Sequence, residues 1–236
     1  MKRPWLVGAC AAFAVLASRN ALAQTRHEGL YLRAGVGPSY FVDSVESEPY
    51  AIMPGFVGTA KGTVKGISPA FEIAAGHSVS RGLILGGGVY AHVVPSPSAR
   101  GAEASGTVMG TNVSANVDIN FASSSMVLVG PVADYYVDPE GGFHVQGSLG
   151  LGILTLGEGT VEGTVMGYTI LPTPSQKGYG LAAMVGAGYE WHVAGKWALG
   201  VLARVVAGRG SGDDGAGVSW THTVFVPGLL ATVTMN

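Results

Sequence analysis

The sequence predicts an all-β protein: an eight-stranded antiparallel up-and-down transmembrane β-barrel. Three observations predict it. Hydrophobic residues make up 47% of the 236 residues and charged residues only 12%, where an average chain carries about 25% charged residues. Apolar residues alternate with small or polar residues in segments of about ten, which is typical of membrane-spanning strands. Short and long connections between these segments also alternate strictly along the chain.

Composition excludes several other classes of protein. Disordered chains are charged and poor in apolar residues, which this chain is not. The 13 basic and 15 acidic residues leave no basic excess to neutralise phosphates, so we expect no nucleic-acid partner. The 38 glycines follow no three-residue period, which excludes a collagen helix.

The N-terminus has the features of a secretory signal peptide. Lys2 and Arg3 precede an apolar run over residues 6–17, and Ala21-Leu22-Ala23 fits a cleavage site. We therefore expect residues 1–23 to be removed and residues 24–236 to form the barrel. A lipid anchor at Cys10 is an alternative, although the apolar run before Cys10 is very short. Cleavage after Ala23 leaves a mature chain without cysteine, hence without disulfides.

Eight segments are predicted as strands from their two-residue period. They are residues 29–40, 67–77, 82–93, 125–137, 143–153, 179–193, 197–205 and 221–234. The clearest is 143–153, where Phe143, Val145 and Leu149 share one face and His144 and Gln146 share the other.

The remaining segments follow the same rule in chain order. Their apolar faces carry Leu30, Leu32 and Val36; Phe71 and Ile73; Leu83, Leu85 and Val89; Leu181, Val185 and Tyr189; and Trp197, Leu199 and Val201. Alternation is blurred in the fourth and eighth segments, so the pattern does not fix their boundaries.

Connection lengths predict the orientation of the barrel. The short connections are residues 78–81, 138–142 and 194–196, and the long ones are 41–66, 94–122, 156–178 and 207–220. Outer-membrane barrels have short periplasmic turns and long extracellular loops. We therefore expect both termini on the periplasmic side and the long loops outside the cell.

Aromatic residues near the strand ends predict two interfacial girdles. The periplasmic girdle would hold Tyr31, Tyr135, Phe143, Tyr189, Trp191 and Trp197. The outer girdle would hold Tyr40, Phe41, Tyr90, Phe121, Tyr179 and Trp220.

Two segments resemble hairpins of the small outer-membrane barrels of OmpA/OmpX type. They are SPAFEIAAGHSVSRGLILGGGVY (residues 68–90) and MVLVGPVADYYVDPEGGFHVQGSLGLG (residues 126–152). The resemblance implies a small eight-stranded barrel in the bacterial outer membrane. The chain departs from that family at its end, Thr234-Met235-Asn236, where such barrels usually carry an aromatic residue.

Five charged residues fall inside predicted strands: Arg33, Glu72, Asp134, Glu190 and Arg204. We place all five on the inward face, because an arginine facing lipid at mid-membrane costs about 2–4 kcal/mol. An eight-stranded barrel has room inside only for packed side chains, so these charges must pair. We interpret them as a structural polar cluster in the lumen. The alternative is the lining of a narrow gated channel for small solutes.

His144 and Ser148, with Glu190 and His192 on the adjacent strand, are the ingredients of a nucleophilic triad. Small barrels that modify lipid A exist, so an enzyme of this kind is the less favoured alternative. No motif around a nucleophile, no metal-ligand spacing and no phosphate loop accompanies these residues. We therefore expect no enzymatic activity, no catalytic residues, no metal and no cofactor.

Three long loops repeat a Gly-Thr-Val theme: residues 58–64 (GTAKGTV), 106–111 (GTVMGT) and 159–167 (GTVEGTVMG). Threonine and valine favour strands. We therefore predict that strands continue beyond the membrane as protruding hairpins, whose edges could bind a partner strand. Flexible, solvated loops are the alternative.

These patterns give a functional hypothesis: a monomeric outer-membrane protein with a structural, adhesion or partner-binding role through its extracellular loops. The expected partners are outer-membrane lipid, lipopolysaccharide, and an extracellular protein or surface ligand. A soluble lipocalin-like barrel is a further alternative, but it would need a polar outer face, and here the predicted outer face is apolar.

Overall fold

A computed structural model of the chain describes residues 29–53, 56–108, 110–138, 142–162, 164–165, 168–169, 173–215 and 217–236. The predicted signal peptide, residues 1–23, lies outside these residues. The described strands are β1 (Leu30–Ser47), β2 (Tyr50–Met53), β3 (Phe56–Ser80), β4 (Leu83–Pro95), β5 (Ser98–Val108), β6 (Thr111–Phe121), β7 (Ser123–Tyr136), β8 (Phe143–Leu156), β9 (Gly159–Glu162), β10 (Thr164–Val165), β11 (Tyr168–Thr169), β12 (Gln176–Ala194), β13 (Trp197–Asp213) and β14 (Ser219–Met235). Within the described ranges, no helix has the length and apolar character needed to cross a membrane.

Eight of the strands form a closed antiparallel ring. In order around the ring they are β1, β3, β4, β7, β8, β12, β13 and β14. Strand β1 closes the ring because it pairs with β3 on one side and β14 on the other, with Leu32 opposite both Ala75 and Met235. The fold is therefore the eight-stranded up-and-down β-barrel that the sequence predicts.

The two ends of the barrel differ. At one end, the short-turn end, β3 joins β4 through Gly82 and β12 joins β13 through Gly195. Both glycines have positive φ, 76° and 52°, which a tight turn requires and side chains disfavour. The described chain also begins and ends here, because β1 starts and β14 finishes at this end. The predicted short connections are confirmed at these two turns; residues 139–141 of the third lie outside the described residues.

The exterior of the barrel is apolar. On β3, Ile67 and Ile73 are 76% and 67% exposed, whereas Ala70 and Glu72 between them are buried. The same two-residue alternation runs through the other barrel strands, including β7 and β14, where the sequence pattern is blurred. The exposed apolar belt includes Leu30, Leu32, Val36, Phe71, Leu85, Val89, Val129, Leu149, Leu151, Leu181, Val185, Leu199, Val201, Phe225, Leu229 and Val233. Such a surface is suited to lipid, which makes this a transmembrane barrel fold.

The aromatic girdles differ from the prediction at five positions. The side chains that are exposed, as predicted, are Tyr40, Tyr135, Phe143, Tyr179, Tyr189, Trp191 and Trp197. The prediction is wrong for Tyr31, Phe41, Tyr90, Phe121 and Trp220, which are buried. Their position near a strand end suggested a membrane interface. The parity of a residue, meaning its odd or even position along the strand, decides whether its side chain faces the lipid or the lumen. Tyr31, for example, has the parity of Arg33 and points inward with it.

At the other end, the long-loop end, the strands continue well beyond the apolar belt. Strands β5 and β6 form a hairpin, and β5 pairs with the first part of β3. Two Gly-Thr-Val segments meet directly, with Gly58 opposite Gly106. Strand β9 in the third segment pairs with β6. Protruding hairpins are therefore confirmed in the described parts of these loops; residues 163, 166 and 167 lie outside them.

Candidate functional site

The first candidate site is the ionic cluster inside the barrel, which is centred on Arg33 of β1. Its Nε donates to Glu72 Oε1 on β3 at 2.7 Å, and its Nη1 donates to Asp134 Oδ2 on β7 at 2.7 Å. All three side chains are fully buried. One guanidinium thus ties three strands together through two carboxylates.

A second arginine completes the charge balance at Glu72. Arg204 of β13 donates from Nη1 to Glu72 Oε2 at 2.7 Å and from Nη2 to the Phe71 carbonyl at 3.1 Å. Its guanidinium also lies 5.3 Å from the ring centre of Tyr90. Each oxygen of Glu72 therefore receives one arginine, which compensates for burying the carboxylate.

Hydroxyl and imidazole groups make the other hydrogen bonds to the buried carboxylates. Tyr31 donates to Asp134 Oδ2 at 2.9 Å, and His144 Nδ1 lies 2.8 Å from Asp134 Oδ1. Glu190 is bound differently, since it accepts hydrogen bonds from the hydroxyls of Tyr136, at 2.8 Å, and Thr234.

The structure therefore brings four of the five predicted residues, Arg33, Glu72, Asp134 and Arg204, into one ion-pair chain. Glu190 is buried too, but its described hydrogen bonds come from hydroxyls rather than from an arginine. The partners Tyr31, Tyr136 and Thr234 were not predicted from the sequence, and neither was His92, whose Nε2 lies 3.4 Å from Arg204 Nη2. Strand parity could have found them, since each is on the inward face.

The triad considered from the sequence is not assembled. His144 Nδ1 bonds to Asp134, not to Glu190, and the stacked ring of Tyr136 lies 5.0 Å from the His144 ring. Among the described residues, His144 Nε2 has no hydrogen-bond partner, so no hydrogen bond joins it to Ser148 Oγ. A serine nucleophile requires a hydrogen bond to its base, so this arrangement lacks the essential contact. The described residues also contain no group of three or more metal-ligating side chains.

An apolar layer fills the interior on the long-loop side of the ionic cluster. Its side chains are nearly inaccessible to solvent and come from all the barrel strands except β3: Phe41, Tyr90, Val94, Met126, Leu128, Leu154, Ala182, Met184, Val206, Val224 and Val226. The ionic cluster and this layer together give the barrel a packed interior.

The second candidate site is the free edge of the protruding sheet. Strand β6 pairs with β5 along its length, but with β9 only over residues 118–121. In the part of the chain that the structure describes, residues 111–117 (TNVSANV) have no strand on their other side. A strand edge of this kind presents backbone N–H and C=O groups that can pair with another strand.

A polar clasp fixes the base of this hairpin, where β5 and β6 are irregular. Asp118 accepts a hydrogen bond from the Gly101 N–H at 2.8 Å and one from Arg100 Nη1 at 2.9 Å. These two donors, the Gly101 N–H first, hold the pKa of the Asp118 carboxyl below its ordinary value. Gly101 has φ +61°, so the clasp includes a turn that favours glycine.

No protein-family model matches the chain, and no curated protein matches it. Several solved structures are similar in fold. Ail, the attachment invasion locus protein of Yersinia pestis, has 14% sequence identity and a TM-score of 0.41, with 87% of this chain and 99% of Ail covered. The outer membrane protein OprG of Pseudomonas aeruginosa has 14% identity and a TM-score of 0.40, covering 89% of this chain and 98% of OprG. The outer membrane protease OmpT of Escherichia coli has 11% identity and a TM-score of 0.42, covering 92% and 99%. The proteins compared include both a protease and proteins not named as enzymes.

Proposed function

We propose that the chain is a non-enzymatic bacterial outer-membrane protein that binds an extracellular protein by strand addition to the edge of β6. The observation that carries the proposal is the uncharged edge of residues 111–117, beside which the structure describes no neighbouring strand. In the orientation that we propose for the barrel, the long-loop end faces the medium and both termini face the periplasm. The packed interior serves as a rigid support for the protruding sheet.

The composition of the edge supports strand addition. Proteins usually protect an exposed edge with lysine, proline or a bulge. Residues 111–117 contain no charge and no proline. Asn112, Ser114 and Asn116 are exposed on one face, whereas Val113 and Val117 are partly buried on the other. A partner strand would gain backbone hydrogen bonds along the edge and side-chain selectivity from the polar face.

We also propose that lipopolysaccharide surrounds the barrel at the boundary of the apolar belt. Outward residues of β3 change from Lys61, Thr63 and Lys65 to Ile67 within one strand, so the boundary falls between Lys65 and Ile67. Arg100 on β5 lies in the same groove as both lysines. Cationic side chains at this level suit the phosphate groups of the outer leaflet.

The edge can be tested by photo-crosslinking on intact cells. A benzophenone amino acid at position 114 is expected to give one discrete protein adduct. Asn116→Lys, which adds a charge to the edge, should abolish that adduct while leaving the heat-modifiable gel mobility of the barrel unchanged. Ser105→Lys is the matched control, because Ser105 lies on β5, whose two sides are both paired in this region.

An adduct that persists in the Asn116→Lys variant would show contact without strand addition and would contradict the proposal. So would the absence of any protein adduct at position 114.

A further inference from the structure

A cavity of about 310 Å³ lies at the long-loop end, between the mouth of the barrel and the protruding sheet. Its wall is mainly apolar and comes from nine strands and their connections. The principal wall residues are Val45, Val64, Ala102, Phe121, Leu156 and Trp220. This cavity is separate from the ionic cluster, since the two share no residue.

One polar group is aimed into this apolar space. Gln176, the first residue of β12, lines the cavity and is only 2% exposed. Neither its amide oxygen nor its amide nitrogen has a hydrogen-bond partner among the described residues. Buried amides are nearly always paired, because an unpaired one loses its bonds to water without replacement.

We propose that this cavity is a binding site for a small apolar molecule carrying one hydroxyl group. A hydroxyl both donates and accepts, so it pairs with the Gln176 amide oxygen or nitrogen. The rest of the ligand contacts the apolar wall. An apolar cavity of about 150 Å³ holds benzene, so this cavity has room for about two fused aromatic rings.

The cavity has an exposed rim through which a ligand enters. Lys61, Glu103 and Pro174 line it and are exposed to solvent. Deeper in the wall, the ring of Tyr50 lies 5.8 Å from that of Trp220. An aromatic ligand therefore meets aromatic side chains below a charged rim, an arrangement common in small-molecule sites.

The proposal goes beyond partner binding at the edge of β6. It needs the protruding strands to be ordered, but it needs no strand added to them. Binding in the cavity and crosslinking at position 114 are therefore separate readouts, and either one can fail alone.

The test measures binding of 1-naphthol and naphthalene to the barrel in lipid nanodiscs by calorimetry. In the Ala102→Phe variant the new side chain fills the cavity, so this variant shows how much of each compound the lipid and the barrel surface take up alone. Gln176→Leu keeps the size of the side chain and removes its polar atoms. Heat-modifiable mobility confirms that each variant is folded.

Saturable 1-naphthol binding that Ala102→Phe abolishes is expected. The unchanged chain should bind 1-naphthol about fivefold more tightly than naphthalene, the value of one hydrogen bond. Gln176→Leu should bring the two affinities together. If the unchanged chain takes up no more 1-naphthol than the Ala102→Phe variant, the proposed site is wrong. If the unchanged chain binds 1-naphthol and naphthalene with equal affinity, the proposed role of Gln176 is wrong.

Discussion

Arg33 Nη1 donates to Asp134 Oδ2 at 2.7 Å, although the two residues are 101 positions apart in the sequence. Strands β1 and β7, which carry them, are separated by β3 and β4 in the ring. The bond therefore crosses the interior instead of following the sheet. Together with the two bonds that arginines donate to Glu72, it links distant parts of the wall in addition to the backbone ladder.

Glu72→Gln should destabilise the barrel strongly. The carboxylate is the shared acceptor of Arg33 and Arg204, and its removal leaves two buried guanidinium groups with one fewer anion. Breaking a buried ion pair on one side costs about 3–5 kcal/mol. We expect a cost of about 3 kcal/mol, at the lower end of that range, because the amide oxygen that the substitution introduces still accepts a hydrogen bond. Urea unfolding in detergent measures the change.

Glu103→Gln is the control for this substitution. Glu103 is an exposed glutamate on β5, so the free energy of unfolding should change by less than about 0.5 kcal/mol. Equal effects of the two substitutions would contradict a stabilising role for the ionic cluster.

Two adjacent glycines of β4 should respond differently to replacement by alanine. A Cβ on Gly86 would lie 2.0 Å from the Ala75 carbonyl oxygen, which cannot move without disturbing the sheet. A Cβ on Gly87 would lie 3.9 Å from its nearest neighbour, on the outer face. Gly86→Ala should cost about 1–3 kcal/mol of unfolding free energy, and Gly87→Ala should be neutral or slightly stabilising. The urea midpoints of unfolding compare the two variants. Equal midpoints would show that the close approach of the backbone at Gly86 is not required.

The hairpin base should loosen in acid. The folded-state pKa of Asp118 is depressed, so its contribution to stability is present above the unfolded value of about 3.9 and is lost as pH falls through the folded value. Exchange of the Gly101 amide hydrogen should therefore accelerate at low pH relative to its intrinsic rate. In the Asp118→Asn variant this acceleration of exchange at low pH should disappear. If the acceleration persists, the pH dependence belongs to another group.

The packed interior predicts that the barrel does not conduct ions. The ionic cluster and the apolar layer occupy the lumen with buried side chains. Planar-bilayer recordings of the purified barrel should give the same baseline as detergent alone. Stable single-channel steps would favour the narrow channel instead.

The barrel itself could be predicted because its physical signals are local. Alternation, short turns and loop asymmetry are visible in the sequence, and parity places Arg33 and Glu72 on the inner face. Parity also decides the face of an aromatic residue, and closeness to a strand end does not, which is why the girdle prediction fails for Phe41 and Tyr90. The cavity could not be predicted, because its wall comes together only through the pairing of distant loops. The position of Gln176 follows from that pairing and from nothing local.

Single-cysteine labelling tests the central claim, a membrane-spanning barrel that displays its long-loop end outside the cell. The only cysteine of the chain, Cys10, lies in the predicted signal peptide. A cysteine introduced into the barrel is therefore expected to be the only one that a maleimide labels in the mature chain. Asn112→Cys is at the long-loop end and Lys196→Cys is at the short-turn end, and both positions are exposed. A membrane-impermeant maleimide should label Asn112→Cys on intact cells and Lys196→Cys only after the outer membrane is permeabilised. Labelling of Lys196→Cys on intact cells would contradict the account.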